Sequence, residues 1–484
     1  MDARQEAGCS SSSELKEVKG EGSDGGSSGM ELKASRSVQL ATVPAAGPAA
    51  VEVFRDGDTV SEPGKAAWWE AAVHMVTMMF GAGVLGLPYA LASLGWVLGI
   101  LMLALATGAS FYSAILLADL HTLRDGRRVR TLRALGEAVF GKWGRRAIVS
   151  LQVGSMVTIC LVFTVAGGTS IMDIVHGCYG DKGSACENHA YSTWPWTVTF
   201  GGAMMLLSQF PDFHALTIVS VVGAAMPLLY ANIAFVCILI HGREEGVDYT
   251  IVDAGSGFKT AMNMCSAVGA MAFAYGGQVV QNEVAATLAA TPAVVVSMRR
   301  ALSVAYGLIA AFYFAISIAG YATFGNKVTG NVLQSVPYAV PAIIANAAVL
   351  VHVAAAYQAS TMPLYHMLDE QAAQLKWLPA PLSRRPWLLR LVIRSLFVCL
   401  ITFLGVLIPF FTQLAGLVGG LGLAPLCFIA PILMWQRYNR DVASTARSVA
   451  NWLLIAAFAV ICALATLGSA YSIGASAASF QVFA

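Results

Sequence analysis

The chain has 484 residues, 57% of them hydrophobic and only 12% charged, and its formal net charge is +2. A soluble globular domain carries about 25% charged residues, so this composition excludes a soluble fold. So small a net charge gives no basic footprint for nucleic acid, which is excluded as a partner.

Residues 1–64 are rich in Ser, Gly, Ala and Glu, contain the run Ser10 to Ser13, and show neither an apolar signal core nor helical periodicity. They read as a disordered cytoplasmic tail without a cleavable signal. Residues 65–484 form one transmembrane domain in which apolar runs recur. Stretches such as 96–118 and 451–470 hold no charge at all, and roughly 20 apolar residues suffice to cross the hydrocarbon as a helix. Lipid cannot satisfy open backbone, so the expected fold class is an all-α membrane protein. Its spans fall at about 67–91, 95–121, 145–176, 193–209, 214–240, 259–290, 301–324, 338–368, 388–409, 412–435 and 449–475. Eleven spans put the termini on opposite sides of the bilayer.

Cytoplasmic loops hold the excess of Lys and Arg. With the N-terminus inside, the basic residues divide 25 to 4, the four outside being Lys182, Arg243, Lys259 and Lys327. The first inner loop carries Arg124, Arg127, Arg128, Arg130, Arg133, Lys142, Arg145 and Arg146 around the apolar-periodic stretch from Leu132 to Phe140. It reads either as ordinary positive-inside charge or as a short interfacial helix against anionic lipid.

The nine cysteines are scattered without the paired spacing of a zinc site, so no metal is expected. No cofactor motif and no nucleophile–base set stands out, and an enzyme is not expected. Cys178 and Cys186 share one polar loop on the outer face, where they form either a disulfide or two free thiols.

The first span contains Gly81-Ala-Gly-Val-Leu-Gly86. The G-x-G-x-x-G spacing suggests dinucleotide binding only after a strand and with an acidic residue about 20 positions on, and neither condition is met here. Two readings remain: close helix packing through small residues, or a helix unwound beside a cavity. The sixth span repeats the device at Ala274-Tyr-Gly-Gly-Gln278. Paired interruptions five spans apart point to a transporter built from inverted repeats with a midplane site. There the N–H groups around Gly81, Ala82 and Gly83 form the positive end of a half-helix, suited to a carboxylate. Carbonyls near Met78, Met79, Phe273 and Ala274 are suited to an ammonium group, so a zwitterion fits both ends.

The chain resembles the amino acid/auxin permease family, closest to its plant lysine-histidine transporter-like branch. The resemblance is carried by His74-Met-Val-Thr-Met-Met-Phe-Gly-Ala-Gly-Val-Leu-Gly-Leu-Pro-Tyr-Ala90, Leu135-Gly-Glu-Ala-Val-Phe-Gly141, Val165-Ala-Gly-Gly168 and Pro211-Asp-Phe213. It continues through Ala272-Phe-Ala-Tyr275, Glu283, Tyr321-Ala-Thr-Phe-Gly-Asn326, His352-Val353, Tyr357-Gln358 and Met362-Pro363. It implies a leucine-transporter-like fold of five plus five inverted spans with the first and sixth broken, plus an eleventh. It further implies secondary transport of amino acids, usually coupled to protons, through a site between spans one, three, six, eight and ten. Where the branch carries histidine after the sixth-span glycines, this chain has Gln278, which cannot carry a proton.

The remaining proton-coupling candidates are Glu283, His74 and His352. An ionisable residue at membrane depth is a functional candidate by default, and for each the competing reading is a packing or fixed hydrogen-bonding role. Ser360 and Thr361 offer a sodium alternative, since hard cations favour oxygen ligands, although such hydroxyls commonly bond to their own backbone. Ser155 and Tyr275 are candidates for substrate selectivity. The expected function is secondary active, proton-coupled symport of neutral or broad-range L-amino acids, at the plasma membrane in preference to the vacuolar membrane. A sodium-coupled transporter and an amino-acid-sensing receptor without net transport are the alternatives.

Overall fold

The structure, a computed structural model, describes residues 59–60, 64–177, 192–209, 217–373 and 386–479. Most of the N-terminal tail, and Cys178 with Cys186, lie outside the described residues.

The described helical segments follow one another in the order the apolar runs require and are compatible with the eleven expected spans. Seven described helices are each long and apolar enough to cross a membrane, and the bent pair Trp68–Met79 and Ala82–Leu94 makes an eighth, turning by 49° at its break. The shorter Trp194–Leu207, the Pro227-containing Thr217–His241 and the interrupted Gly257–Thr287 region fill the other three places.

Local chemistry sets the ends of these helices. Glu70 in the first turn accepts from the Ala67 N–H at 3.2 Å, a capping contact at the start of the first span. Gly95 at φ 74° provides the turn into the second span, Trp96–Leu120. Thr131 caps the next helix through Ala134 N–H. That helix runs Leu132–His176 and starts well before the expected residue 145, because the amphipathic stretch is itself helical and turns into the third span at Gly141, φ 68°. The corner is tight: a Cβ on Gly144 would lie 2.2 Å from the Gly136 carbonyl, and Arg145 pairs with Glu137 at 2.7 Å. The seventh span likewise begins early, at Val294.

Glycine lets the tenth span approach the sixth backbone to backbone. A Cβ on Gly269 would lie 2.3 Å from the Gly416 carbonyl, and one on Gly419 would lie 1.9 Å from the Gly269 carbonyl. The tenth span then continues through π turns at Gly419–Leu423 and Pro425–Ile429. Close packing therefore accounts for this glycine cluster.

The end carrying the arginine-rich loop is stitched shut. Ala66 N–H donates to the Thr287 carbonyl and Ala289 N–H to the Ala66 carbonyl, each at 3.0 Å. Arg128 donates to the carbonyls of Ala285 and Leu288, and Arg299 pairs with Asp119 at 2.6 Å. His121, just past the second span, is fully buried there; burial and then the Arg128 charge push its pKa down to about 4, so its ring is neutral.

Gly269→Ala and Gly154→Ala are predicted to act in opposite directions. The first forces a methyl group onto backbone and costs about 1–3 kcal/mol. The second meets nothing within 4 Å and gains about 0.5–1 kcal/mol from helix propensity. Thermal unfolding of the two purified variants against the parent checks both signs.

Candidate functional site

Both breaks are real interruptions of the backbone ladder. The first helix stops at Met79, Phe80 leaves helical geometry at ψ 89°, and Gly81 is extended at φ −130°, ψ −166°. Five residues of 3-10 helix, Ala82–Gly86, follow before Leu87 resumes the α-helix. In the sixth span the α-helix stops at Ala274, 3-10 geometry runs Gly276–Val280, and Gln281–Thr287 completes the segment.

The two breaks meet crosswise. A Cβ on Gly83 would lie 3.1 Å from Ala274 Cα and from the Phe273 ring. One on Gly277 would lie 2.3 Å from Met79 Cγ and 3.2 Å from Met79 N. The start of each second half-helix thus abuts the end of the other span's first half-helix. This pairs positive dipole ends with negative ones, and it requires the two spans to run in opposite directions.

Tyr313 of the seventh span joins the two ends. Its hydroxyl is 2.6 Å from the Met79 carbonyl and 2.9 Å from the Ala274 carbonyl, and the side chain is fully buried. Phe80 and Tyr275 pack on its ring at 5.7 and 5.2 Å. The Tyr275 hydroxyl lies 2.6 Å from Thr107, whose own proton goes to the Leu103 carbonyl, so Tyr275 donates and is fixed to the second span. Gln278 is buried, and its amide nitrogen reaches the Ser110 carbonyl and hydroxyl and the Tyr306 hydroxyl. It ties the second break to spans two and seven.

The candidates read from the sequence separate into those at the breaks and those away from them. Gly81, Ala82, Gly83, Phe273, Ala274 and Tyr275 lie at the junction, all but Gly81 buried. Met78 is 48% exposed and points away from it. Ser155 is buried against Gly422, with its hydroxyl donating to its own helix at the Leu151 carbonyl. His352 lies at the first break: its Nε2 is 3.6 Å from where a Cβ on Gly81 would sit, and its Nδ1 bonds the Gly223 carbonyl at 3.0 Å. His74 is exposed on the first helix. Glu283 reaches the surface at the basic end, within electrostatic range of Arg133 and Arg130. Thr361 donates to the Tyr357 and Gln358 carbonyls of its own helix, and Ser360 beside it is half-buried.

At the end opposite the basic loop a cavity of about 300 Å³ reaches the first break, with Ala82, Leu85, Tyr89, Ser170, Gln334 and Phe411 among its walls. Tyr313 was invisible to sequence reasoning because its acceptors lie 234 and 39 residues away. The only available signal was a tyrosine in mid-span, where a hydroxyl needs a partner.

Two crossed, broken helices within an all-α set of apolar spans define a membrane transporter with the leucine-transporter-like fold. The chain belongs to the family of transmembrane amino acid transporter proteins, which matches residues 64–474. It is similar to lysine histidine transporter-like 1 of Arabidopsis thaliana, 33% identical over 83% of this chain and 87% of that one. It is also similar to amino acid permease 2 of the same plant, 30% identical over 83% and 86% of the two chains. The crystal structure of MhsT in complex with L-phenylalanine shares the fold, with a TM-score of 0.50 at 14% identity, covering 84% of this chain and all of that one.

Tyr313→Phe is predicted to leave helix content unchanged while releasing both carbonyls. A buried group left unpaired costs about 1–3 kcal/mol, so the variant unfolds at a lower temperature than the parent. Circular dichroism of the purified variant, at low temperature and through a thermal scan, reads the two effects separately.

Proposed function

We propose that this protein is a secondary active transporter that moves neutral or broad-range L-amino acids together with protons by alternating access. The observation that carries the reading is the crosswise meeting of the breaks, which sets N–H and carbonyl ends side by side. An amino acid carries both complementary charges on one carbon. The carboxylate is assigned to the N–H groups of Gly81, Ala82 and Gly83, and the ammonium group to the carbonyls of Met79 and Ala274. Each carbonyl oxygen has two lone pairs, so the Tyr313 bond leaves acceptor capacity for the substrate.

His352 is assigned the coupling proton. With Nδ1–H donating to Gly223, Nε2 carries the lone pair that faces Gly81. Protonation turns that atom into a donor and puts a positive charge beside the substrate carboxylate. Proton and carboxylate then strengthen each other's binding, the reciprocity that symport requires. Glu283 is assigned instead to the charge network of the basic end. For the sodium alternative, Thr361 stands nine positions beyond His352, about 13 Å along a helix, with its hydroxyl directed to its own backbone.

The charge asymmetry of the loops supports a cytoplasmic N-terminus. On that reading the stitched basic end faces the cytoplasm and the cavity faces out. The conformer is then open outward, and inward opening must break the Arg128 and Ala66 bonds.

Uptake into proteoliposomes under a proton gradient, with a competition panel of amino acids and sodium replaced by a large organic cation, tests the proposal. Saturable accumulation that survives sodium replacement and collapses with the proton gradient is expected. Dependence on sodium, or binding without accumulation, overturns it. In the same assay His352→Gln should lower gradient-driven maximal uptake at least tenfold while labelled substrate still binds. Full acid stimulation in that variant would remove His352 from the coupling role.

A further inference from the structure

Behind the cavity wall, held by a residue that lines it, is a carboxylate that the reading above does not use. Asp173, near the outer end of the third span, is completely buried. Its two oxygens accept from a single donor group, the Gln334 amide nitrogen, at 3.0 and 3.2 Å. Among the described residues no cation lies within ion-pair distance of it. His176, one turn on, has its ring against Trp196 at 5.5 Å.

Apart from His176 on its own helix, the described elements around Asp173 add no charged or titratable acid or base. The outer ends of the neighbouring spans, residues 192–202, 328–351, 400–418 and 470–479, contain no Asp, Glu, Lys, Arg or His. An ionised carboxylate in such surroundings is poorly compensated: one amide replaces the several donors water would give it. Ser170, three residues before it on the same helix, lines the cavity with a buried hydroxyl that has no partner. A polar, unsaturated wall therefore connects the cavity to the neighbourhood of Asp173.

Gln334 links this carboxylate to the loop that borders the cavity. It belongs to the short helix Val332–Ser335 in the connection between spans seven and eight, and its side chain lines the cavity mouth with Asn331. Below this helix Gly330 packs against the start of the tenth span, where Thr412 donates to the Gly330 carbonyl at 3.2 Å. The Asp173–Gln334 contact therefore ties the third span to the loop that borders the mouth.

We infer that Asp173 is a second proton-binding site, loaded from the cavity, whose protonation loosens the Val332–Ser335 loop and eases substrate entry. When ionised, both oxygens hold the Gln334 amide and the loop is pinned across the mouth. When protonated, one oxygen becomes a donor that the Gln334 amide nitrogen cannot accept, so this contact is halved and the loop is held less firmly. The proton comes from the cavity solution and returns to it, with no covalent change. This rests on the proton-coupled reading, in which His352 carries the transported proton and sets the maximal rate, whereas Asp173 sets how readily substrate enters.

The test is uptake by proteoliposomes with the cavity-side pH varied and the other side clamped. The parent protein should show a half-saturation concentration that rises as the cavity side is made alkaline. Asp173→Asn, which has one acceptor oxygen at every pH, should keep the low acid-side half-saturation value throughout, while its maximal uptake retains the parent's dependence on the proton gradient. Asp173→Glu should restore a pH-dependent half-saturation. An Asp173→Asn profile that rises with pH as the parent's does overturns the inference and leaves the coupled reading intact. A parent protein indifferent to proton gradients overturns both. If Asp173→Asn transports nothing, equilibrium binding of labelled amino acid to the purified variant decides: pH-independent affinity supports the site, and parental pH dependence overturns it.

Discussion

A single hydroxyl proton shared between two carbonyl oxygens holds the centre of this molecule together. Breaking a helix in mid-membrane exposes backbone that lipid cannot satisfy, and such breaks persist only where protein or a cavity supplies partners. Here the ends of both broken helices converge on Tyr313. Convergence in turn requires the two spans to approach within backbone contact, which is why Gly83 and Gly277 stand where any side chain would strike Ala274 or Met79. The unusual backbone, the glycines and the buried tyrosine are one solution to one problem of unsatisfied polar groups.

Around that centre the two ends of the molecule are built differently. At the basic end main-chain bonds and arginine side chains close on the last turn of the sixth span. At the other end, the bordering loop is held by the Gln334 amide on Asp173 and by the Thr412 hydroxyl on the Gly330 carbonyl. Transport by rocking one half against the other needs two closures of comparable strength that form in turn.

Much of this was legible in the chain itself. Apolar runs at membrane length located the spans, and the glycines at 81–86 and 276–277 located both breaks, because unwinding needs residues with little helix preference. Starting points were less legible: the amphipathic stretch from Leu132 continues as helix into the third span because a corner at Gly141, rather than a loop, joins them. Facing directions were not legible. Helical spacing says which residues share a face but not which face meets the break. So Met78 and His352, both candidates by position, end on opposite sides of that question. Partners far apart in sequence were beyond reach, which is why Tyr313 and the Asp173–Gln334 pair emerge only in three dimensions.

The strand-like pairing at the basic end has a mechanical consequence. Gly64 runs so close to Thr287 that a Cβ would fall 1.9 Å from its carbonyl oxygen, and Val60 N–H is bonded on the other side to the Arg128 carbonyl. The chain entering the first span is thus a tether knotted to the terminus of the sixth. A load applied upstream, by a fused domain or a bound protein, is transmitted through residues 64–66 directly to the helix that carries the second break. The described segment before the first span is in that sense a lever whose short arm ends at the last turn of the sixth span.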